Sequence, residues 1–333
     1  MRGNHPGQMG KAGLLAALLV AAGGVMAAAG EAGDPAPTRL AFLPHWIPQA
    51  QFAGYYLALE KDFYRQAGLE VAILDGGPRK PVEKALRSGE AVIASHFLSS
   101  ALKLRDEGLP LVHLAQISQR SALLLVARKS RGIASVQDLD GKTVSVWPSF
   151  SVQPQALFRK YNLRVSTVTQ GSSPGLFLNG AVDAASAMWY NEYHLILNSG
   201  IDAEEMTLVF YDQHGLNFPE DCLLCLAETW RTRPDQCRKF VAASLAGWRY
   251  AAAHREEALR VVMRRTEQAR TGTNRAHQRW MLDRMCDLIQ PPPGTAMGEL
   301  PVPAYENVAR ELRDTGEIRA APAFKEFHVA ALP

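Results

Sequence analysis

Residues 46–78 read WIPQAQFAGYYLALEKDFYRQAGLEVAILDGGP, and this stretch decides the fold class. Residues 40–43 before it predict a short strand that runs into an aromatic loop at 46–52. A helix follows, then a turn at Gly68 and Leu69. A second strand at 71–74 is closed by Gly76, Gly77 and Pro78. Strand–helix–strand order calls for parallel strands joined by a right-handed crossover. The loop after the first strand then lies at the carboxyl edge of the sheet, where open α/β folds hold ligands. Trp46, Phe52, Tyr55 and Tyr56 concentrate there, and a flat aromatic ligand would stack on such rings. Tyr55 and Tyr56 are adjacent on a helix and point in different directions, so at most one faces a cleft.

The alternation continues outward at βα spacing. Strands are expected at 92–95, 111–117, 122–127, 141–146, 165–169, 184–188, 207–211 and 222–226. Helices are expected at 97–107, 154–161, 174–179 and 190–198. Everything after about residue 229 reads as helical, with long segments at 235–256 and 274–289 and a stiff break at Pro291, Pro292 and Pro293. The tail is expected to wrap back over the first domain. Two βα lobes joined by two passes of chain make a hinged cleft. The expected division is 39–124 plus 225–333 for lobe one and 125–224 for lobe two.

The 333 residues can bury a large core, and a formal charge of +3 offers no field for nucleic acid. Arg2 and Lys11 precede an apolar, Ala-rich run at 12–29 that ends in Ala27, Ala28 and Ala29, a secretory signal-peptide pattern. Removing residues 1–29 subtracts two cations and no acid, so +3 becomes +1. A flexible leader at 30–38 follows. With no cysteine after the run, a soluble periplasmic protein is expected rather than a lipoprotein. The arginines of 259–270 (Arg260, Arg264, Arg265 and Arg270) fit a solvated helix face better than a docking patch.

Cys222, Cys225, Cys237 and Cys286 are the four cysteines. On a buried strand Cys222 and Cys225 face opposite sides and cannot bridge. No second pair stands at zinc spacing, so no metal is expected. Buried free thiols are the expected state, with a Cys237–Cys286 bridge between helices as the alternative.

The 46–78 stretch resembles the opening of the periplasmic solute-binding proteins of the thiamine-pyrimidine-precursor (SsuA/THI5-like) type. These begin with Trp-x-Pro, then Phe-Ala-Gly-Tyr-Tyr, a Phe-Tyr…Gly-Leu turn and Gly-Gly-Pro. A second block is similar: Gly180, Ala181, Val182, Asp183, Ala184 and Ala185, then Tyr190, Asn191 and Glu192. A third, weaker block is 133–144, with Asp138, Leu139, Gly141 and Lys142. The resemblance implies a type II periplasmic-binding-protein fold and a monomer that carries a small aromatic nutrient to an inner-membrane ABC permease and ATPase. A formyl- or hydroxymethyl-aminopyrimidine is the leading ligand. Riboflavin, a sulfonate or nitrate, and a sensory ligand-binding module are the alternatives. Some eukaryotic relatives are enzymes that make the pyrimidine by consuming a pyridoxal cofactor, with an active-site histidine and iron. Lys61 and His45 or His96 are present here, but the cysteine-rich iron signature is not. The chain is therefore expected to be a carrier without cofactor or catalytic residue.

The candidate ligand residues follow. Glu192, after the strand at 184–188, can accept from an amidine-like edge, and Asn191 can read a carbonyl. Both equally suit capping of the next helix. The resemblance adds Tyr190 and favours the ligand reading, under which Glu192→Ala weakens an aminopyrimidine at least tenfold. Trp46 and Trp147 would stack from opposite lobes. Ser95 and His96 follow the strand at 92–95, and His96 departs from the small polar residues usual in relatives. Gly76, Gly77 and Pro78 lack the remainder of a phosphate loop and suit a tight turn beside the ligand. Asp221 lies close to the second crossing between lobes.

Overall fold

The computed structural model describes residues 37–329 and 331–332, so the signal peptide expected at 1–29 and most of the leader lie outside the described residues. Ten strands form two five-stranded sheets. The first holds β1 (Thr38–Leu43), β2 (Leu69–Ile73), β3 (Ile93–His96), β4 (Leu111–Gln116) and β10 (Cys222–Leu226), in the order β2-β1-β3-β10-β4. The second holds β5 (Leu123–Arg128), β6 (Thr143–Val146), β7 (Ser166–Thr169), β8 (Ala184–Met188) and β9 (Met206–Phe210), in the order β7-β6-β8-β5-β9.

The two orders are one pattern used twice. In each sheet three adjacent strands pair in parallel, as the 46–78 stretch requires, with β1 pairing β2 from Thr38↔Leu69 to Phe42↔Ile73. In each, the strand that arrives after a crossing, β10 or β5, inserts antiparallel. The apolar run of β4 is buried at every position, as expected of a strand covered on both faces. The edge strand β7 is exposed at all four positions.

The helix expected after the aromatic loop divides. Ala53–Glu60 ends at a turn through Asp62, whose left-handed φ of 58° a short polar side chain tolerates, before Phe63–Gln66. Gly54 of the Phe-Ala-Gly-Tyr-Tyr run has a packing reason. A Cβ there would stand 2.2 Å from the Trp248 ring, and one on Gly247 would stand 2.1 Å from the Gly54 carbonyl oxygen. Helices Ala53–Glu60 and Pro234–Ala253 therefore cross in backbone contact.

The long helix expected at 235–256 ends at Ala253, and a separate helix Arg255–Gln268 follows the break at His254. The tail returns to the first sheet, where His113 bridges His328 and the Val329 N–H donates to the His113 carbonyl at 3.1 Å. It also reaches the other lobe through Arg159 and Glu311 at 2.8 Å.

All four cysteines are free and buried. Cys222 and Cys225 pack into different core clusters, on opposite sides of β10. The Cys237–Cys286 bridge does not form; the Cys237 thiol meets that of Cys225 instead. Among the described residues no helix is long and apolar enough to cross a membrane.

Candidate functional site

The carboxyl ends of β1 and β3 deliver two turns to one place. After β1 comes His45, and β3 ends in Ser95 and His96. The His45 N–H donates to Ser95 Oγ at 3.1 Å, and His45 Nδ1 lies 3.0 Å from the same oxygen. If the hydroxyl donates to Nδ1, the ring proton sits on Nε2, 3.6 Å from Asp221 Oδ1. Burial, then the neighbouring His96, holds the His45 imidazole well below its usual range, so it is neutral. The turn Ala50–Phe52 supplies the other donor to Asp221. Gln51 Nε2 donates to both carboxylate oxygens, at 3.0 and 3.1 Å. Gln49 Nε2 steadies Gln51 at 2.6 Å, and the Ala50 N–H donates to Gln278 Oε1 at 2.7 Å.

Aromatic rings line this polar floor and continue into the second lobe. His45 meets Phe52 and Phe97 edge-on at 5.4 and 4.8 Å and stacks near His96 at 5.6 Å. Phe97 meets Phe150, which follows β6, at 4.9 Å, and Phe150 meets Trp147 at 6.1 Å. Phe97, after β3, and Phe150, after β6, thus bring a ring from each lobe together, and His45 links that contact to the buried carboxylate.

Asp221 stands in the second crossing with a left-handed φ of 51°. Burial pushes its carboxyl up to about 7. Burial, then the charge of Asp221, pushes adjacent Glu220 up to about 8. Glu220 Oε1 accepts from the Ala122 N–H at 2.7 Å, the Leu123 N–H at 3.2 Å and Ser121 Oγ at 3.1 Å, which ties the two crossings together. Its Oε2 is buried without a partner among the described residues, and so is Nδ1 of His96. Burial lowers His96 to about 4. Unfilled polar capacity of this kind, beside aromatic rings, suits a flat polar molecule that supplies hydrogen-bond partners.

The expected residues divide. Ser95, His96, Phe52 and Asp221 come together as described. Tyr190 joins them electrostatically, since after burial its hydroxyl is pushed up by the charges of Glu220, Asp221 and Glu192. Tyr55 packs on Phe42 at 4.5 Å and near Trp248 at 6.0 Å, with its hydroxyl in the field of Asp221. Tyr56 turns away, under the Arg265 guanidinium at 5.3 Å. Trp46 is 39% exposed. Trp147 donates from Nε1 to the Gly171 carbonyl at 2.8 Å. Pro78 is exposed, and Gly76 approaches the chain's own loop: a Cβ there would stand 1.9 Å from the Pro44 carbonyl oxygen.

Asn191 and Glu192 are engaged in their own turn. Glu192 Oε2 accepts from the Met188 N–H at 3.0 Å and Oε1 from Asn191 Nδ2 at 2.8 Å, while burial pushes the carboxyl up. Asn191 Oδ1 lies 2.8 Å from His277 Nε2, and Trp280 Nε1 donates to the Trp189 carbonyl at 2.9 Å. The helix Arg275–Leu288 thereby fixes this turn. Sequence reasoning missed Gln51, Glu220, Phe97 and Phe150 and weighed His45 only as part of an enzyme. His45 had a usable signal, since it stands two residues past the end of a strand at the carboxyl edge. Lys61, the lysine a Schiff base would use, pairs with Glu257 at 3.3 Å beside the Tyr250 ring.

The family described as NMT1/THI5 like matches residues 49–258. Riboflavin-binding protein RibY of Chloroflexus aurantiacus is 25% identical over 72% of this chain and 70% of its own length. A formylaminopyrimidine-binding protein of Halalkalibacterium halodurans is 22% identical over 71% and 73%. A 4-amino-5-hydroxymethyl-2-methylpyrimidine phosphate synthase of Schizosaccharomyces pombe is 24% identical, over 44% and 43%. Among solved structures, the periplasmic aliphatic sulphonate binding protein SsuA of Escherichia coli superposes with a TM-score of 0.65 at 15% identity, covering 88% of this chain and 91% of that one. That likeness carries the two-lobed periplasmic-binding-protein fold.

Proposed function

Because this chain belongs to the NMT1/THI5-like family, we propose that it is a periplasmic solute receptor that delivers a small, donor-rich heteroaromatic base to a membrane importer. An aminopyrimidine of the formyl or hydroxymethyl type is the leading ligand. The observation that carries this reading is the buried Asp221, held by Gln51 with the His45 imidazole close by, next to rings from both lobes. An exocyclic amine and a ring nitrogen present two adjacent donors once the ring is protonated, and a desolvated carboxylate pairs strongly with such an edge. Trp46 and Phe97 supply stacking, and Tyr190, positioned by Asn191 and Glu192, closes the site from the second lobe. The passes at 117–122 and 211–221 serve as the hinge, tied by Glu220. Export rests on the N-terminal sequence pattern, and the receptor acts as a monomer with catalysis left to the importer's ATPase.

Riboflavin is the second reading, favoured by the RibY relative. Its ring system also presents a donor edge. A sulfonate or nitrate is opposed by the acids at the floor. The test is a thermal-shift measurement of the refolded mature chain with hydroxymethyl- and formyl-aminopyrimidine, thiamine, riboflavin, taurine and nitrate. Ligand that binds only the folded state raises the midpoint. A shift with an aminopyrimidine alone supports the proposal. A shift with riboflavin replaces the ligand, and one with taurine or nitrate overturns the acid-floor argument.

A further inference from the structure

Helix Arg255–Gln268 and the turn into helix Arg275–Leu288 enclose a groove of about 580 Å³ that the ligand site does not use. Arg260, Arg264, Arg270 and Arg275 line it, against one acid, Glu267. Arg260 and Arg264 stand one helical turn apart, where like charges weaken a helix. Arg264 is answered by Glu60 at 2.8 Å and Arg275 by Glu256 at 2.9 Å. Arg260 and Arg270 have no ion-pair partner among the described residues. Glu257, whose field Arg260 shares, is already held by Lys61 at 3.3 Å and Tyr250 at 2.8 Å.

The groove lies on the ligand side of the first lobe. Arg265, next to Arg264, donates to the carbonyl of Ile73 at the carboxyl end of β2 at 3.3 Å. Thr273 of the groove wall accepts from Gln278 Nε2 at 2.9 Å, and Gln278 Oε1 in turn receives the Ala50 N–H beside Gln51. One side chain therefore separates the groove from the floor of the site.

We propose that this groove docks an acidic segment of the membrane protein that receives the ligand, an inference that rests on the receptor reading above. A partner that takes the ligand must approach over the cleft edge, and there the groove offers two uncommitted guanidinium forks, which match carboxylates in bidentate fashion. The two forks stand on different elements, one within a helix and one in the turn after it, so an extended acidic segment can engage both.

The experiment measures fluorescence anisotropy of a labelled octaglutamate peptide with the mature chain. It compares the wild type with Arg260→Glu/Arg270→Glu and with Lys84→Glu/Arg87→Glu, an equal charge change on the distant helix Val82–Ser88. The groove variant is expected to lose at least tenfold in affinity and the control less than twofold, with binding weakened by added salt. Equal losses in both variants, or no loss in either, overturn the proposal. Groove-dependent binding to anionic lipid vesicles but not to the peptide overturns it in favour of a membrane surface. The thermal shift with aminopyrimidine, run on the same samples, separates the two readings. A shift retained while the wild type ignores the peptide removes the docking groove alone. No shift in the wild type removes the receptor reading and the partner assigned from it.

Discussion

Asp221 and Glu192 are both buried carboxylates near the carboxyl edge of a sheet, yet they are held in opposite ways. Glu192 takes its donors from its own turn, a backbone N–H at Met188 and the side chain of Asn191, which His277 holds in turn. Asp221 takes its donors from a separate element, Gln51, with the His45 imidazole close by, and beside it Glu220 Oε2 and His96 Nδ1 have none. A carboxylate held within its own turn fixes backbone, whereas a cluster with unpartnered polar atoms gains most when a ligand supplies their partners. On the proposed receptor reading, the larger share of selectivity is expected from Asp221 rather than Glu192.

Asp221→Asn is the strongest test of that difference. It keeps shape and tolerates the left-handed backbone but deletes the charge. Affinity for hydroxymethyl-aminopyrimidine should fall roughly 30-fold by calorimetry, about 2 kcal/mol for a charged hydrogen bond. A fall below threefold would return the selecting role to Glu192. Glu192→Gln should instead lower unfolding stability in urea by about 1 kcal/mol while leaving affinity within threefold. Tenfold weaker binding there would reverse the comparison. Trp46→Ala should weaken the same ligand about fivefold, in the range of one aromatic contact. An unchanged dissociation constant would remove Trp46 from the site.

The smallest effect is on the pH dependence of the ligand-free protein. Asp221 and Glu220 have folded values raised to about 7 and about 8, above the unfolded values near 4. The folded chain thus keeps protons that the unfolded chain has released. Stability from this source is fullest below about 4 and is lost as pH rises through about 7 and 8. His45 and His96, with lowered folded values, act oppositely and remove stability only as pH falls below about 6.5. Between pH 6.5 and 8.5 the melting midpoint should decline, and Asp221→Asn should flatten that decline. An equal slope in the two proteins would contradict a buried, proton-holding Asp221.

The fold was legible because it depends on periodicity. The run at 111–117 reads as a buried strand and is one, and the strand–helix–strand order of residues 40–74 gives the parallel pairing of β1 with β2. The insertion of β10 and β5 antiparallel was not legible, since strand direction follows from where the chain re-enters a sheet rather than from local pattern. The helix break at Asp62 depends on a left-handed residue, which Asp signals only weakly. Within the site, Ser95, His96 and Asp221 were visible as polar residues at strand ends. Gln51 and Glu220 were not, because a side-chain amide or acid in a loop carries no periodic mark. Their roles come from the contact of Ala50–Phe52 with the second crossing, some 170 residues away. A motif position such as Glu192 likewise does not disclose which partners already occupy its oxygens.

The contact between Gly54 and Gly247 bears on how such sequences are sorted. The glycine of the Phe-Ala-Gly-Tyr-Tyr run is demanded by a helix pressed against it from almost 200 residues further along the chain. A survey that recruits proteins by this pentapeptide therefore gathers a way of packing two helices and leaves cargo unsorted. If the proposed site is right, grouping by the residues at positions 45, 51, 96, 220 and 221 should divide the same proteins by what they hold.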